Sequence, residues 1–167
     1  MHDDDCRDFL NDRLFDIEER LASLEGRPTI LFKKLHPQAV LPKYMTGGAI
    51  GLDLFACNDN PIVIHQGADA ILIPTGLAIE LPEGYEAQVR SRSSLSLQGV
   101  TVANSPGTID FDFRGELCVI IKNSGRMFTV HGGDRIAQLI IAKAVQAQIK
   151  EVTELSETVR GTGARPG

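Results

Sequence analysis

Hydrophobic residues near the start of the chain recur at the spacing of one helix face. They stand at alternating steps of four and three residues, at Leu10, Leu14, Ile17, Leu21 and Leu24. This period predicts an amphipathic helix over residues 5–25, with acidic residues at 3–5 near its start and Gly26 and Pro28 after its end. Two heptads are marginal as an isolated helix in water. The apolar face therefore either docks on the rest of its own chain or associates with other copies of it.

From residue 29 onward the pattern changes to short apolar runs rich in β-branched residues, separated by Gly, Pro and Asn. Examples are AILIPTGLAIEL at 70–81, ELCVIIKN at 116–123, RIAQLIIAKAV at 135–145 and QAQIKEV at 146–152. Many short strands with regular turns predict an all-β fold, a jelly-roll-like β-barrel, to which the N-terminal amphipathic helix is added.

The chain divides into three predicted segments. Residues 1–28 are the helical extension, residues 29–155 the β-barrel, and residues 156–167 a tail rich in Gly, Pro and Arg. Because the composition of the tail does not favour regular structure, we expect a ligand to be needed to order it. A chain of 167 residues is long enough for one hydrophobic core.

Composition and charge exclude several classes of function. No apolar run reaches the roughly 18 residues that a membrane span requires, and the acidic start MHDDDCRDFL differs from the basic start of a signal peptide. We therefore expect a cytoplasmic protein without a membrane partner. A net charge of −5 and no basic cluster argue against broad nucleic-acid binding. The scattered three cysteines and four histidines predict neither a disulfide framework nor a protein-built zinc site.

A pair of acids stands in the run TIDFDF at 108–113. If this run is a strand, Asp110 and Asp112 lie on one face and Ile109, Phe111 and Phe113 on the other, because alternate side chains share a face. Two explanations fit this pattern. The acids form a solvated outer face, or one of them does chemistry.

Three further polar stretches interrupt apolar runs. In GGAIGLDLFA at 47–56, Asp53 lies between two leucines, so it is either exposed or tied to a cation. RSRSSLSLQG at 90–99 gathers two arginines and several serines, which suit phosphate oxygens but are also compatible with a polar strand end. In GGDRIAQLII at 132–141, Gln138 is harder to explain as a solvated strand edge.

Taken together and in this order, these stretches resemble the motifs of the trimeric dUTPase family, the deoxyuridine triphosphate nucleotidohydrolases, over about residues 29–163. GGAIGLDLFA resembles the first motif, RSSLSL the second, GTIDFDFRGE the third, GDRIAQL the fourth and RGTG the start of the fifth. The resemblance implies a jelly-roll-like barrel and a homotrimer whose active sites draw on all three chains. It also implies that dUTP is hydrolysed to dUMP and pyrophosphate, by water attack on the α-phosphate with Mg²⁺ bound to the triphosphate.

The resemblance implies roles for individual residues at the base, the sugar and the reacting water. Asp110 would activate the water, within hydrogen-bond reach, and touch the sugar 3′-hydroxyl, whereas Asp112 would be structural. Phe113, where the family commonly has Tyr, would pack on the deoxyribose. Four residues would read the uracil edge: Asn104, Gly107, Thr108 and Ile109.

The resemblance also implies how the triphosphate is held. Its phosphates would be bound by Arg92, Ser93, Ser94, Gln138 and Arg160. No residue is expected as a direct metal ligand, and Asp53 would stand in the outer shell of Mg²⁺, through water. The family has an aromatic residue after its fifth motif, and none follows RGTG at 160–163. We expect weakened turnover with the barrel and trimer intact, because a lid excludes water and fixes geometry.

Two alternatives remain open from the sequence. A deaminase of deoxycytidine triphosphate shares the fold and an Arg-Ser-Ser motif, but it uses a glutamate at the position of Ile120, three residues before Asn123. Without that acid there is no proton shuttle for deamination. The second alternative is a non-catalytic nucleotide-binding or interaction protein, for which the N-terminal heptads and the short tail leave room.

Overall fold

The computed structural model describes residues 13–15, 17 and 26–159. Residues 13–15 and 17 are helical, in agreement with the predicted helix, whose other residues lie outside the described part. The predicted C-terminal tail is described only as far as residue 159, so Arg160 also lies outside it. The division into three segments remains a prediction.

Regular structure between residues 26 and 159 consists of short strands and one helical turn, α1, at Ser93–Ser96. The strands are β1 Leu31–Lys34, β2 Lys43–Tyr44, β3 Leu52–Phe55, β4 Ile62–Ile64, β5 Ile71–Glu80, β6 Tyr85–Arg90, β7 Val100–Val102, β8 Gly107–Ile109, β9 Glu116–Asn123, β10 Phe128–Val130 and β11 Arg135–Lys143. Within the described residues, no helix is long and apolar enough to span a membrane. The predicted all-β, jelly-roll-like fold is confirmed.

Two larger sheets and one strand pair make up the barrel. A five-stranded sheet has the order β2-β3-β11-β6-β8, a four-stranded sheet has the order β1-β5-β9-β7, and β10 pairs with β4. All of these pairings are antiparallel. Because antiparallel strands expose one face and bury the other, this arrangement produces the alternating pattern of the sequence.

One hydrophobic core lies between the two larger sheets. Val89 of β6 and Leu139 of β11 pair across the five-stranded sheet, and both are buried in this core. Alternate residues of β9 enter it from the four-stranded sheet: Leu117, Val119 and Ile121. Each such side chain contributes about 1.5–3 kcal/mol on burial, so the core fixes the sheets on which the polar motifs stand.

The structure corrects the strand predicted for TIDFDF. Strand β8 ends at Ile109, and a turn follows in which the Phe113 N–H donates to the Asp110 carbonyl at 3.1 Å. The expected division into an acidic and an apolar strand face is therefore wrong. Ile109 pairs with Ala87 of β6, so the next pair would place Asp110 opposite Glu86. Like charges directly opposite one another destabilise a sheet.

The run QAQIKEV is also not a strand. Strand β11 ends at Lys143, and the last backbone hydrogen bond to the barrel is donated by Ala144 to the Gly84 carbonyl at 2.9 Å. Beyond it, Val145 and Ile149 are more than 90% exposed. A strand needs a neighbour to satisfy its backbone groups, and the segment 145–159 pairs with none of the described strands.

Candidate active site

The carboxylate of Asp53 lies at the centre of a cluster of polar side chains from three motifs. Asp53 on β3 pairs in register with Gln138 on β11, and Arg92 directly precedes α1. Arg135 Nη1 lies 3.0 Å from Asp53 Oδ2, whereas Gln138 Nε2 and Arg92 Nε lie 3.3 and 3.4 Å from Oδ1. These four residues, Asp53, Arg92, Arg135 and Gln138, are called the Asp53 cluster below.

Burial makes this cluster rigid. Asp53 is 2% exposed, and a buried charge is tolerated only when it is paired and hydrogen-bonded. Arg92 makes a second contact in the cluster, because its Nη1 donates to the Arg135 carbonyl at 2.9 Å. The sequence allowed Asp53 to be either exposed or paired with a cation. In the structure it is paired with two cations, the guanidinium groups of Arg92 and Arg135. The cluster therefore presents positive charge and an amide at fixed positions.

The serines of the second motif stand beside this cluster. Ser93 and Ser94 begin α1 and are exposed, and the buried Leu95 anchors the turn. Ser91 has another task, because its hydroxyl oxygen accepts a hydrogen bond from the Val102 N–H at 2.8 Å. The hydroxyls of Ser93 and Ser94 are thus available at the surface next to Arg92.

A second site is a cleft of about 260 Å³ beside β8, called the hairpin cleft below. Four residues predicted to contact the base or the sugar line it: Asn104, Gly107, Ile109 and Phe113. A side chain at Gly107 would meet the Asn104 amide, since a Cβ there would lie 2.8 Å from Nδ2. Thr108, also predicted to read the uracil edge, is exposed and has its side chain on the other face of the strand.

The hairpin cleft also contains residues that the sequence did not identify. Leu72 and Cys118 form part of its wall. Burial, and then the Glu116 carboxylate, raise the pKa of the Cys118 thiol, so the thiol is neutral at pH 7, and the Glu116 carboxylate itself also lines the cleft. The only signal in the sequence was the alternation along β9, which turns Cys118 away from the core. Arg135 of the Asp53 cluster was likewise visible as a charge in a strand but was not assigned a role.

Asp110 stands apart from both sites within one chain. It is exposed and lines a third cleft, of about 290 Å³, with Glu83, Tyr85 and Glu86 among its neighbours. Asp112 is exposed as well. The structure therefore places the two acids in a turn at the end of β8, close in sequence to the hairpin cleft.

The Asp53 cluster and the hairpin cleft lie on different surfaces of the chain, because the cleft is also lined by Leu72, Cys118 and Ile120 of the four-stranded sheet. Gln138 pairs with Asp53 on one side and with Arg90 on the other, so these three side chains share the face turned away from the core. Gly107 pairs with Val89, which points into the core. A single chain thus divides the predicted site residues between two surfaces.

The described residues contain no group of three or more His, Cys, Asp and Glu side chains able to hold a metal ion. The prediction that no residue is a direct metal ligand refers to the protein with its nucleotide bound. It therefore stays a prediction. Any divalent cation at the Asp53 cluster would need its ligands from elsewhere, because both Asp53 oxygens already accept from arginine or glutamine donors.

Comparison with solved structures shows the class of fold. The fold resembles that of a dUTPase from Staphylococcus bacteriophage 80alpha solved with dUpNHpp, with a TM-score of 0.73 and 25% identity over 81% of this chain and 95% of that one. A phage phi11 dUTPase of S. aureus, at 23% identity and a TM-score of 0.68 over 75% of this chain and 97% of that one, shares the fold. The architecture is thus that of a dUTPase-like β-barrel.

Sequence comparison then gives the family. The dUTPase family model matches residues 38–166. The chain is 53% identical to the deoxyuridine 5′-triphosphate nucleotidohydrolase of Syntrophotalea carbinolica, over 81% of this chain and 92% of that protein. It is 51% identical to the enzyme of the same name from Hydrogenobaculum sp., over 80% and 93%. The chain belongs to the dUTPase family, which confirms the resemblance seen in its motifs.

Proposed function

We propose that this protein hydrolyses dUTP to dUMP and pyrophosphate. The observation that carries the proposal is the convergence of motifs that are far apart in sequence on two surfaces of complementary chemistry. The Asp53 cluster offers fixed cationic and amide donors, and the hairpin cleft is small and mostly apolar, with the Asn104 amide and the Glu116 carboxylate in its lining. A triphosphate suits the first surface and an uncharged base suits the second.

The phosphates are bound by Arg92, Ser93, Ser94 and Gln138 in this proposal. A guanidinium matches two phosphate oxygens at once, and Arg92 is held in place by Asp53 and by the Arg135 carbonyl. Gln138 adds an amide donor from the neighbouring strand. Arg160, which lies outside the described residues, is proposed to reach the terminal phosphate.

The base and the sugar are bound at the hairpin cleft. The Asn104 amide and the backbone of Gly107, Thr108 and Ile109 supply donors and acceptors for the uracil edge, and the Phe113 ring packs on the deoxyribose. The small volume of the cleft supports discrimination against the additional methyl of thymine, because overlap with the wall costs free energy.

Asp110 is proposed to act on the water. Its carboxylate accepts a proton from the attacking water as the oxygen bonds to the α-phosphorus, and pyrophosphate leaves. A positioned general base contributes about 10²–10⁴-fold to such a step. Its exposed place in the turn after Ile109 supports this role, because the carboxylate is available to a bound nucleotide.

The site is proposed to be shared within a homotrimer. One nucleotide has to reach both the Asp53 cluster and the hairpin cleft, but these lie on different surfaces of one chain. Surfaces from different chains, arranged head to tail around an axis, would bring them together. The exposed apolar side chains of the segment 145–159 support association between chains, since water disfavours such a run.

Mg²⁺ is proposed to arrive on the triphosphate. The described residues form no metal cage of their own, and Mg²⁺ commonly keeps several waters and binds substrate phosphates. It would supply charge neutralisation on the phosphate oxygens. The phage phi11 dUTPase structure describes a structural Mg(II) ion. Three donors reach the two oxygens of Asp53, and a carboxylate has about four acceptor positions, so one remains for a metal-bound water in the outer shell.

We also propose a cytoplasmic location. The cysteines that the structure describes, Cys57 and Cys118, are free thiols, and reduced cysteines are the rule in that compartment.

A substrate panel tests the proposed function. The protein with Mg²⁺ is incubated separately with dUTP, dTTP, UTP and dCTP, and pyrophosphate and ammonia are measured. Release of pyrophosphate from dUTP, with at least a tenfold preference over the other three, is the expected result. Ammonia from dCTP would establish the deaminase instead. Tight binding of dUTP without any product would establish a nucleotide-binding protein.

A further inference from the structure

Arg114 connects the turn that carries Asp110 to the rest of the barrel. Its Nη1 donates to the carbonyl of Phe111 at 2.6 Å and to the carbonyl of Phe113 at 2.9 Å. Its Nη2 lies 3.3 Å from the Glu80 carboxylate. Glu80 is the last residue of β5, where it pairs with Leu31 of β1. One guanidinium thus spans the turn and the end of a core strand.

The turn depends on such a connection because sheet pairing has already ended. Strand β8 stops at Ile109, and the bond from the Phe113 N–H to the Asp110 carbonyl closes the turn on itself rather than onto the barrel. Asp110, Asp112 and Phe113 are all exposed. Within the turn, Phe111 is partly buried and packs against the core, but the exposed residues beside it have little packing and move at low free-energy cost, so a second contact with the barrel affects where Asp110 stands.

The two carbonyl contacts matter more than the ion pair. Arg114 and Glu80 are 49% and 53% exposed, and ion pairs between exposed side chains add little stability. Hydrogen bonds from a charged donor to carbonyls are stronger than neutral ones. A guanidinium can donate in several directions from one plane, whereas an ammonium is a compact point charge. Glu80 therefore orients the guanidinium, and the guanidinium fixes the turn.

The Phe113 ring is placed by the same short segment. A Cβ at Gly115 would lie 2.9 Å from Phe113 Cζ and 3.0 Å from Cε2, so the ring lies directly over this glycine. Arg114 stands between the two residues and holds the carbonyl of the first. Fixing the backbone at Phe113 thus also fixes the ring that lines the hairpin cleft.

We propose that Arg114 is a positioning residue for the reaction. It holds the carbonyls of Phe111 and Phe113 so that the Asp110 carboxylate stands at a constant place relative to the hairpin cleft, without touching the nucleotide itself. The proposal rests on the proposed function, in which Asp110 acts on the attacking water.

Amide hydrogen exchange tests the positioning without any turnover. The Phe113 amide, which donates within the turn, should exchange at least fivefold faster in Arg114→Ala than in the unmodified protein. The amide of Val119, in the middle of β9, should keep its rate. The matched control is Arg126→Ala, which removes an exposed arginine from the connection between β9 and β10. Unchanged exchange at Phe113 in Arg114→Ala would overturn the proposal.

Kinetics test its consequence for chemistry. With dUTP and Mg²⁺, Arg114→Ala should lower kcat by about tenfold to a hundredfold, since small misplacements of reacting groups have effects of that size, and should change KM by less than about threefold. Free guanidinium ion at millimolar concentration should raise kcat at least threefold in Arg114→Ala. It should leave kcat of the control, Arg126→Ala, unchanged. Arg114→Lys should remain low, because it keeps the charge near Glu80 but not the fork.

The two readouts separate failure of the inference from failure of the proposed function. Calorimetry with a non-hydrolysable dUTP analogue counts the folded sites, so kcat is expressed per site. If kcat per site in Arg114→Ala stays within twofold of the unmodified protein, or guanidinium gives no rescue, the positioning role is wrong. If the unmodified protein releases no pyrophosphate, the proposed function fails, and the exchange rate of the Phe113 amide alone then decides the role of Arg114.

Discussion

Two aspartates from two motifs occupy contrasting environments. Asp53 is 2% exposed and surrounded by two arginines and a glutamine on paired strands. Asp110 is exposed in a turn that follows the end of a strand. A buried carboxylate whose oxygens are all engaged organises its neighbours, whereas an exposed one is free to accept a proton. Burial thus fits Asp53 for holding neighbouring side chains in place, whereas exposure leaves Asp110 accessible to a ligand.

The largest expected effect on turnover comes from the exposed aspartate. Asp110→Asn should lower kcat by about 10²–10⁴-fold, because an amide cannot accept the proton of the water. The melting temperature should stay within about two degrees, since the side chain is exposed. Asp112→Asn is the control and should keep most of the activity. If Asp112→Asn loses turnover instead, the water-activating carboxylate has been assigned to the wrong residue.

The buried aspartate should respond in the opposite way, with stability affected first. Asp53→Ala leaves the guanidinium of Arg135 and that of Arg92 without their shared partner. Because these side chains are 42% and 17% exposed, water replaces part of the lost contacts, and the loss is about 1–3 kcal/mol. Denaturant unfolding should show this loss, with Asp69→Ala, an exposed aspartate, as the control. A loss below 1 kcal/mol would contradict the role of Asp53 as an organising residue.

A smaller effect is expected at the hairpin cleft. Gly115→Ala places a Cβ within 2.9 Å of the Phe113 ring, which therefore has to shift. We expect KM for dUTP to rise about threefold to tenfold, or about 0.6–1.4 kcal/mol, with stability nearly unchanged because Gly115 is exposed. Steady-state kinetics and a thermal melt measure both quantities. An unchanged KM would show that the ring does not contribute to nucleotide binding.

The smallest effect concerns the pH dependence of one thiol. Burial and the Glu116 carboxylate raise the pKa of Cys118, so its reactive thiolate appears only above the ordinary pH range of a cysteine. In a Cys6→Ser, Cys57→Ser background, maleimide should label Cys118 slowly at pH 7.5 and faster as the pH rises. A dUTP analogue should slow the labelling. Equal rates with and without the analogue would place the nucleotide outside the hairpin cleft.

The sequence predicted those parts of the fold that depend on local pattern. Alternation and turn residues predict the all-β barrel because each strand buries one face, as Leu117 and Val119 of β9 do. The motifs also predicted that Asp53, Arg92 and Gln138 belong to one site, and the structure places them within hydrogen-bond distance or in ion-pair contact.

The parts that failed depend on partners distant in sequence. TIDFDF alternates as a strand would, but its pairing stops where Asp110 would face Glu86 of β6. QAQIKEV has strand composition, but none of the described strands pairs with it. The place of Cys118 in the hairpin cleft also required the fold, because alternation alone shows only that it leaves the core.

The separation of the Asp53 cluster from the turn that carries Asp110 has a consequence for mixtures of variants. Suppose that a site takes its Asp53 cluster from one chain and its turn from another. Each of the variants Arg92→Ala and Asp110→Asn is then inactive alone, but the first damages only the cluster and the second only the turn. Unfolded together in equal amounts and reassembled at random, they would form roughly one site in four with both groups intact. Two inactive preparations would thus yield an active one, and any recovered activity would distinguish a site shared between chains from a site built within one chain.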